Sequence, residues 1–91
     1  MIRGFHDRDT ESVFKGKRVA RFSAVEAVAI RRLFQLAAAT SLLDLKGPSL
    51  QLEKLKGNRK GQYSIRINDK WRVCFIWNDG NAQRVEIADY H

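Results

Sequence analysis

The sequence predicts an α+β fold: one short strand, two helices, then a mostly antiparallel sheet of about four strands packed on the helices. Three observations carry this. Apolar residues recur at helical spacing after Ser23, the period changes to two after Pro48, and short turn clusters at 68–70 and 78–81 separate the alternating runs. Ninety-one residues fit one domain spanning 1–91, because a second would have too little interior to stabilise itself.

Taken in order, Ile2 to Phe5 reads as the short strand, and residues 7–17 are polar with a helical turn around 10–14. The clearest helix begins at Ser23, which stands at capping-box spacing from Glu26. Its apolar stripe is Ile30, Leu33, Phe34 and Ala37, with Arg31, Arg32 and Gln35 elsewhere on the wheel. Thr40 or Ser41 caps a second short helix through Leu45, which Gly47 and Pro48 end. Leu50, Leu52 and Leu55 alternate with Gln51 and Glu53 as a strand. Residues 56–61 form a basic, flexible loop. Strands follow over 62–67, 71–77 and 83–88.

The hairpin between the strands 62–67 and 71–77 fixes a register. Ile65 and Ile67 must share a core with Trp71, Val73, Phe75 and Trp77. Only a three-residue loop, 68–70, achieves that, and it sets Arg66 directly across from Arg72 on the other face. Two guanidiniums so placed repel. An anion between them relieves the cost, and phosphate suits their fork geometry. The alternative is that each pairs with a nearby carboxylate such as Glu53, Glu86 or Asp89.

The net charge of +7 is concentrated: residues 53–72 hold seven bases against Glu53 and Asp69. Such a cluster suits a polyanion, nucleic acid being the commonest, though it also suits a solvated face. The lone Cys74 excludes an internal disulfide and a cysteine-based zinc site, and reads as a buried small residue. His6 and His91 stand at opposite ends, so no metal constellation or cofactor is expected. No apolar run reaches ~18 residues and the N-terminus is charged, which predicts a cytoplasmic protein without a membrane segment. RNA cleavage is the metal-free chemistry that fits. The 2′-hydroxyl is the nucleophile, cations stabilise the phosphate, and the terminal Tyr90 and His91 are acid–base candidates. Composition and spacing by themselves stop at a small α+β protein that binds nucleic acid.

The runs Leu55-Lys56-Gly57-Asn58-Arg59-Lys60-Gly61, Tyr63-Ser64-Ile65-Arg66-Ile67-Asn68-Asp69 and Trp71-Arg72-Val73-Cys74-Phe75, closing on Asp89-Tyr90-His91, resemble the HigB group of RelE-like toxins. The likeness extends from the opening Met1-Ile2-Arg3-Gly4-Phe5 to the end of the chain. It implies a RelE-like fold and a type II toxin that cleaves mRNA in the ribosomal A site by metal-independent 2′-hydroxyl attack, inhibiting translation. It implies a HigA-like helix-turn-helix antitoxin as partner, through which operator DNA is bound, and neither cofactor nor membrane. Arg72 matches the arginine on the scissile phosphate, and His91 the C-terminal histidine of acid–base chemistry, with Tyr90 beside it. Lys54, Lys56, Arg59, Lys60 and Lys70 lie in or beside the segment that would hold mRNA or ribosomal RNA. Glu53 stands where some members have histidine, so it is either the general base or a partner of Arg66 or Arg72. Asn68 stands where some have arginine, and Arg66 on the same face would take that role. The competing functions are a non-catalytic nucleic-acid-binding module and a degenerate toxin that serves as corepressor with its antitoxin.

Overall fold

A computed structural model describes residues 1–89. Helix α1 spans Arg8–Phe14 because Asp7, in extended backbone, accepts from the Thr10 amide at 2.7 Å and from its hydroxyl at 3.1 Å. Thr10 is fully buried, and its hydroxyl oxygen accepts from the Ile87 amide at 3.0 Å, fastening α1 to the sheet. Helix α2 spans Glu26–Ala38 and begins later than the capping-box spacing suggests. Residues Ala20–Val25 form a 3-10 turn anchored by buried Phe22, whose ring meets Trp71 edge-on at 5.4 Å. Anchoring that turn leaves Ser23 exposed inside it, so no side chain caps α2. The inward stripe also differs: Ala29, Arg32, Leu33 and Leu36 are buried, whereas Phe34 is 54% exposed beside Phe14. Apolar residues surround most of this helix, so its period admits more than one stripe. The short helix predicted next is a 3-10 turn, Leu42–Leu45, capped by Ser41 with Asp44 reaching back.

Four antiparallel strands follow in the order β1 (Glu53–Lys54), β2 (Tyr63–Arg66), β3 (Trp71–Asn78) and β4 (Asn81–Asp89). The strand predicted from Leu50 shrinks to two residues. Gln51 takes φ 44°, a left-handed conformation that breaks the extended run, while Leu50 buries itself in the preceding turn. The segment 2–5 is not a full strand but lies parallel to β4 through two bridges, Ile2↔Ala82 and Phe5↔Val85. The predicted hairpin register holds: Arg66 faces Arg72, Ile65 faces Val73, and the Ile67 amide donates to the Trp71 carbonyl at 3.0 Å. Asp79 and Gly80, at φ 54° and 74°, make the next turn. Beyond it the β3–β4 pairing shifts by one between Cys74↔Glu86 and Ile76↔Gln83, with Arg84 at φ 52° in the bulge. The extra residue lets Ala82, Val85 and Ile87 all join the core. Helices cover one sheet face; the core between them comprises Phe22, Leu33, Leu36, Ile65, Val73 and Phe75 among others. Among the described residues no helix is long and apolar enough to cross a membrane.

Candidate active site

Strand alternation sends Ile65 and Val73 into the core and therefore Ser64, Arg66, Arg72 and Cys74 to the opposite face. Two rows cross that face. One reads Glu53, Ser64, Cys74, Glu86 and the other Arg66, Arg72, Ala88. Arg72 is only 8% exposed. Its Nε donates to Ser64 Oγ at 2.6 Å, and its Nη2 donates to the Gln51 carbonyl at 2.5 Å. Glu53 Oε1 lies 3.7 Å from the same Nη2. The remaining amine, Nη1, has no partner among the described residues.

Arg66 is held by Asp69 Oδ1 at 2.5 Å. Mutual repulsion of the two arginines thus does not require an anion: Asp69 and Glu53 each sit by one of them. Underneath, Arg32 of α2 donates from Nε to the Arg66 carbonyl at 2.7 Å, with Nη1 on Gln35 at 2.9 Å. Desolvation, then the charges of Arg31 and Arg66, lower the Arg32 pKa from its ordinary value.

The basic segment is more ordered than its glycines suggest. Gly57–Arg59 is a 3-10 turn, and Arg59 Nη1 contacts both Glu86 and Gln62 at 3.1 Å. Leu55 packs with Cys74 and Ala88 in a small apolar cluster on this face. Lys54, Lys56 and Lys60 are exposed around a concavity of about 270 Å³. Arg59, one of the candidate RNA-binding residues, is thus committed at least partly to the protein. Lys70 lies over the Trp71 ring at 5.3 Å and 3.9 Å from Asp89. Burial pushes the Cys74 thiol up to about 11, which suits a packing residue. Tyr90 and His91 lie outside the described residues; the last described one, Asp89, faces Trp71, one position along from the Arg72↔Ala88 pair. Among the described residues no three His, Cys, Asp or Glu side chains are grouped to hold a metal.

Both arginines and their register are legible in the sequence, whereas three groups around them are less so. Ser64 was findable, since the same register puts it diagonal to Arg72. Arg32 looked like surface because charged residues on helices usually are. The Gln51 carbonyl had no sequence signal, because its backbone turn is imposed by tertiary contacts.

A four-stranded antiparallel sheet with helices on one face is a fold that this chain shares with solved structures. The fold matches the YoeB–YefM complex from Staphylococcus aureus with a TM-score of 0.62 at 20% identity, covering 100% of this chain and 98% of that one. The YoeB dimer from the same organism gives 0.57 at 22%, covering 99% and 97%. Residues 3–91 match the family described as RelE-like toxin of type II toxin-antitoxin system HigB, and the chain belongs to that family. Among its relatives, Endoribonuclease HigB of Proteus vulgaris is 29% identical over 92 residues, covering all of both chains. Toxin HigB-1 of Vibrio cholerae serotype O1 is 37% identical over 81 residues, covering 86% of this chain and 85% of that one.

Proposed function

We propose that the chain, acting as one toxin domain over 1–91, is an endoribonuclease that cleaves mRNA in the ribosomal A site and so halts translation. Support comes from the family, from the activity named for the Proteus vulgaris relative, and above all from Arg72, a clamped guanidinium whose Nη1 makes no contact among the described residues. In this reading Arg72 donates to the non-bridging oxygens of the scissile phosphate as negative charge grows there. Arg66 and the exposed Lys54, Lys56 and Lys60 hold neighbouring phosphates, with Arg59 and Lys70 supporting that surface. A general base removes the 2′-hydroxyl proton, the oxygen attacks phosphorus, and an acid protonates the departing 5′-oxygen, leaving a 2′,3′-cyclic phosphate. RNA supplies the nucleophile, so the step needs no metal. Glu53, beside Arg72, is a candidate base; Tyr90 and His91 are the other acid–base candidates. The natural partner is an antitoxin, of the helix-turn-helix HigA-like kind, through which operator DNA is reached. A partner protein accords with the YefM found with YoeB.

One observation favours a second reading. Both arginines already have carboxylate neighbours, which suits a groove that holds RNA without cutting it. Mapping message ends in cells after brief expression separates the two. The endonuclease produces new ends within translated codons that disappear with Arg72→Ala; wild-type protein producing no new ends rules the nuclease out.

A further inference from the structure

The contacts around Arg72 are asymmetric in a way that concerns catalysis. Ser64 is fully buried in β2, and its hydroxyl takes the Nε–H of Arg72. Gln51 is an exposed, non-glycine residue in left-handed backbone at φ 44°, and its carbonyl takes a hydrogen of Nη2. Such a conformation disfavours a side-chain-bearing residue, and its cost is borne where the surrounding structure fixes it. Here it points a carbonyl at a guanidinium that enters from a strand three segments later in the chain. A guanidinium is planar, so bonds at Nε and at one Nη2 hydrogen fix its rotation and its plane. Nη1, which makes no contact among the described residues, is then held in one orientation.

We infer that Ser64 and the Gln51 backbone are positioning groups for the reaction, a two-point clamp that aims the free edge of Arg72 at the phosphate before RNA arrives. This rests on Arg72 touching the scissile phosphate as proposed above. A long side chain in water samples many rotamers and must be ordered at each turnover. Fixing it beforehand removes that cost from the transition state, and a misplacement of about 1 Å costs on the order of 10²-fold in rate. Ser64 and Gln51 touch Arg72, not RNA, so the clamp governs turnover more than affinity.

The test pairs kinetics on programmed ribosomes with ¹⁵N-edited NMR of arginine Nε–H groups in the free protein. Ser64→Ala is expected to lower kcat about 10- to 100-fold with KM nearly unchanged, and to make the Arg72 Nε–H exchange quickly with water. In an Arg72→Ala background the same change has no further effect, because its target is gone. Gln51→Val, whose β-branch opposes left-handed backbone, cuts at least about tenfold more slowly than Gln51→Gly, which keeps the carbonyl and accepts the turn. Melting curves establish that each variant is folded. The clamp is overturned if Ser64→Ala costs as much on top of Arg72→Ala as alone. It is overturned equally if the Arg72 Nε–H stays protected without the Ser64 hydroxyl. A wild-type protein with a protected Nε–H that cuts no message overturns the nuclease reading instead, so the two failures are distinguishable.

Discussion

Arginine and lysine differ at position 72 by geometry, not charge. Arg72 spends Nε and Nη2 on Ser64 and Gln51 and keeps Nη1, a division that an ammonium on a flexible stem cannot reproduce. Arg72→Lys is therefore expected to be nearly as inactive as Arg72→Ala, each losing about 10²–10³-fold in cleavage rate. Single-turnover cleavage on programmed ribosomes measures this, and a lysine variant within a few-fold of wild type would refute the planar-fork argument. Cys74 makes the opposite case of a residue whose chemistry is suppressed. Desolvation outweighs the opposing charges of Arg59 and Arg72 and pushes its thiol up to about 11. A raised pKa keeps it the neutral thiol through pH 8, and it is fully buried. A thiol reagent at pH 8 should leave native protein untouched and label it fully in urea.

Elements set where these residues land, and they differ in how much the sequence reveals. The β2–β3 hairpin was legible because alternation on both strands admits one loop length only. Arg66 stands against Arg72 as that alternation requires. The turn at Asp79 and Gly80 was legible as well, from residues that accept positive φ. Gly80→Ala tests it. The left-handed backbone (φ 74°) strains alanine, and the added Cβ would stand 3.2 Å from the Thr40 carbonyl. A loss of about 1 kcal/mol or more is expected by urea denaturation. Three features escaped because tertiary contacts override local pattern. Burial of Phe22 converts the Ser23 region to a 3-10 turn, Gln51 is bent out of a strand, and the Arg84 bulge breaks the alternation of β4. The Ser41–Asp44 capping box was half legible, since Ser41 was one of two candidate caps while its partner was not foreseen. Hydrogen bonds from the Thr40 and Ser41 amides hold the Asp44 carboxyl below its usual range. A depressed folded pKa contributes stability above the ordinary carboxylate value that is lost as pH falls through the folded one. Wild type should melt above Asp44→Ala at pH 7, and the gap should narrow as the pH is taken below that ordinary value.

At the scale of the whole molecule, the proposed mechanism gives a net charge of +7 and a clamped arginine separable tasks. Lys54, Lys56 and Lys60 are exposed around one concavity, whereas Arg59 in the same segment is tied to Glu86 and Gln62 and so presents that segment to solvent. Charges of this kind attract a polyanion over a distance and release counterions on contact, so they act on encounter and affinity. Arg72 is too enclosed to steer anything; in the proposed mechanism it acts on the transition state. Replacing the three lysines by alanine lowers the net charge by three. If each meets a phosphate, the slope of log affinity against log salt becomes shallower by about 2, at roughly 0.7 per single-strand contact. The same variant should raise KM far more than it lowers kcat. Arg72→Ala should do the reverse, losing turnover while the slope moves by less than about 1. Titrating ribosome–message complexes with each variant between low and physiological salt checks both. The crossed pattern is the signature of a surface that gathers RNA and a single guanidinium that cuts it. If instead the lysine variant kept the full slope and lost turnover, the basic rim would belong to the chemistry, and the division of labour drawn from the geometry would be wrong.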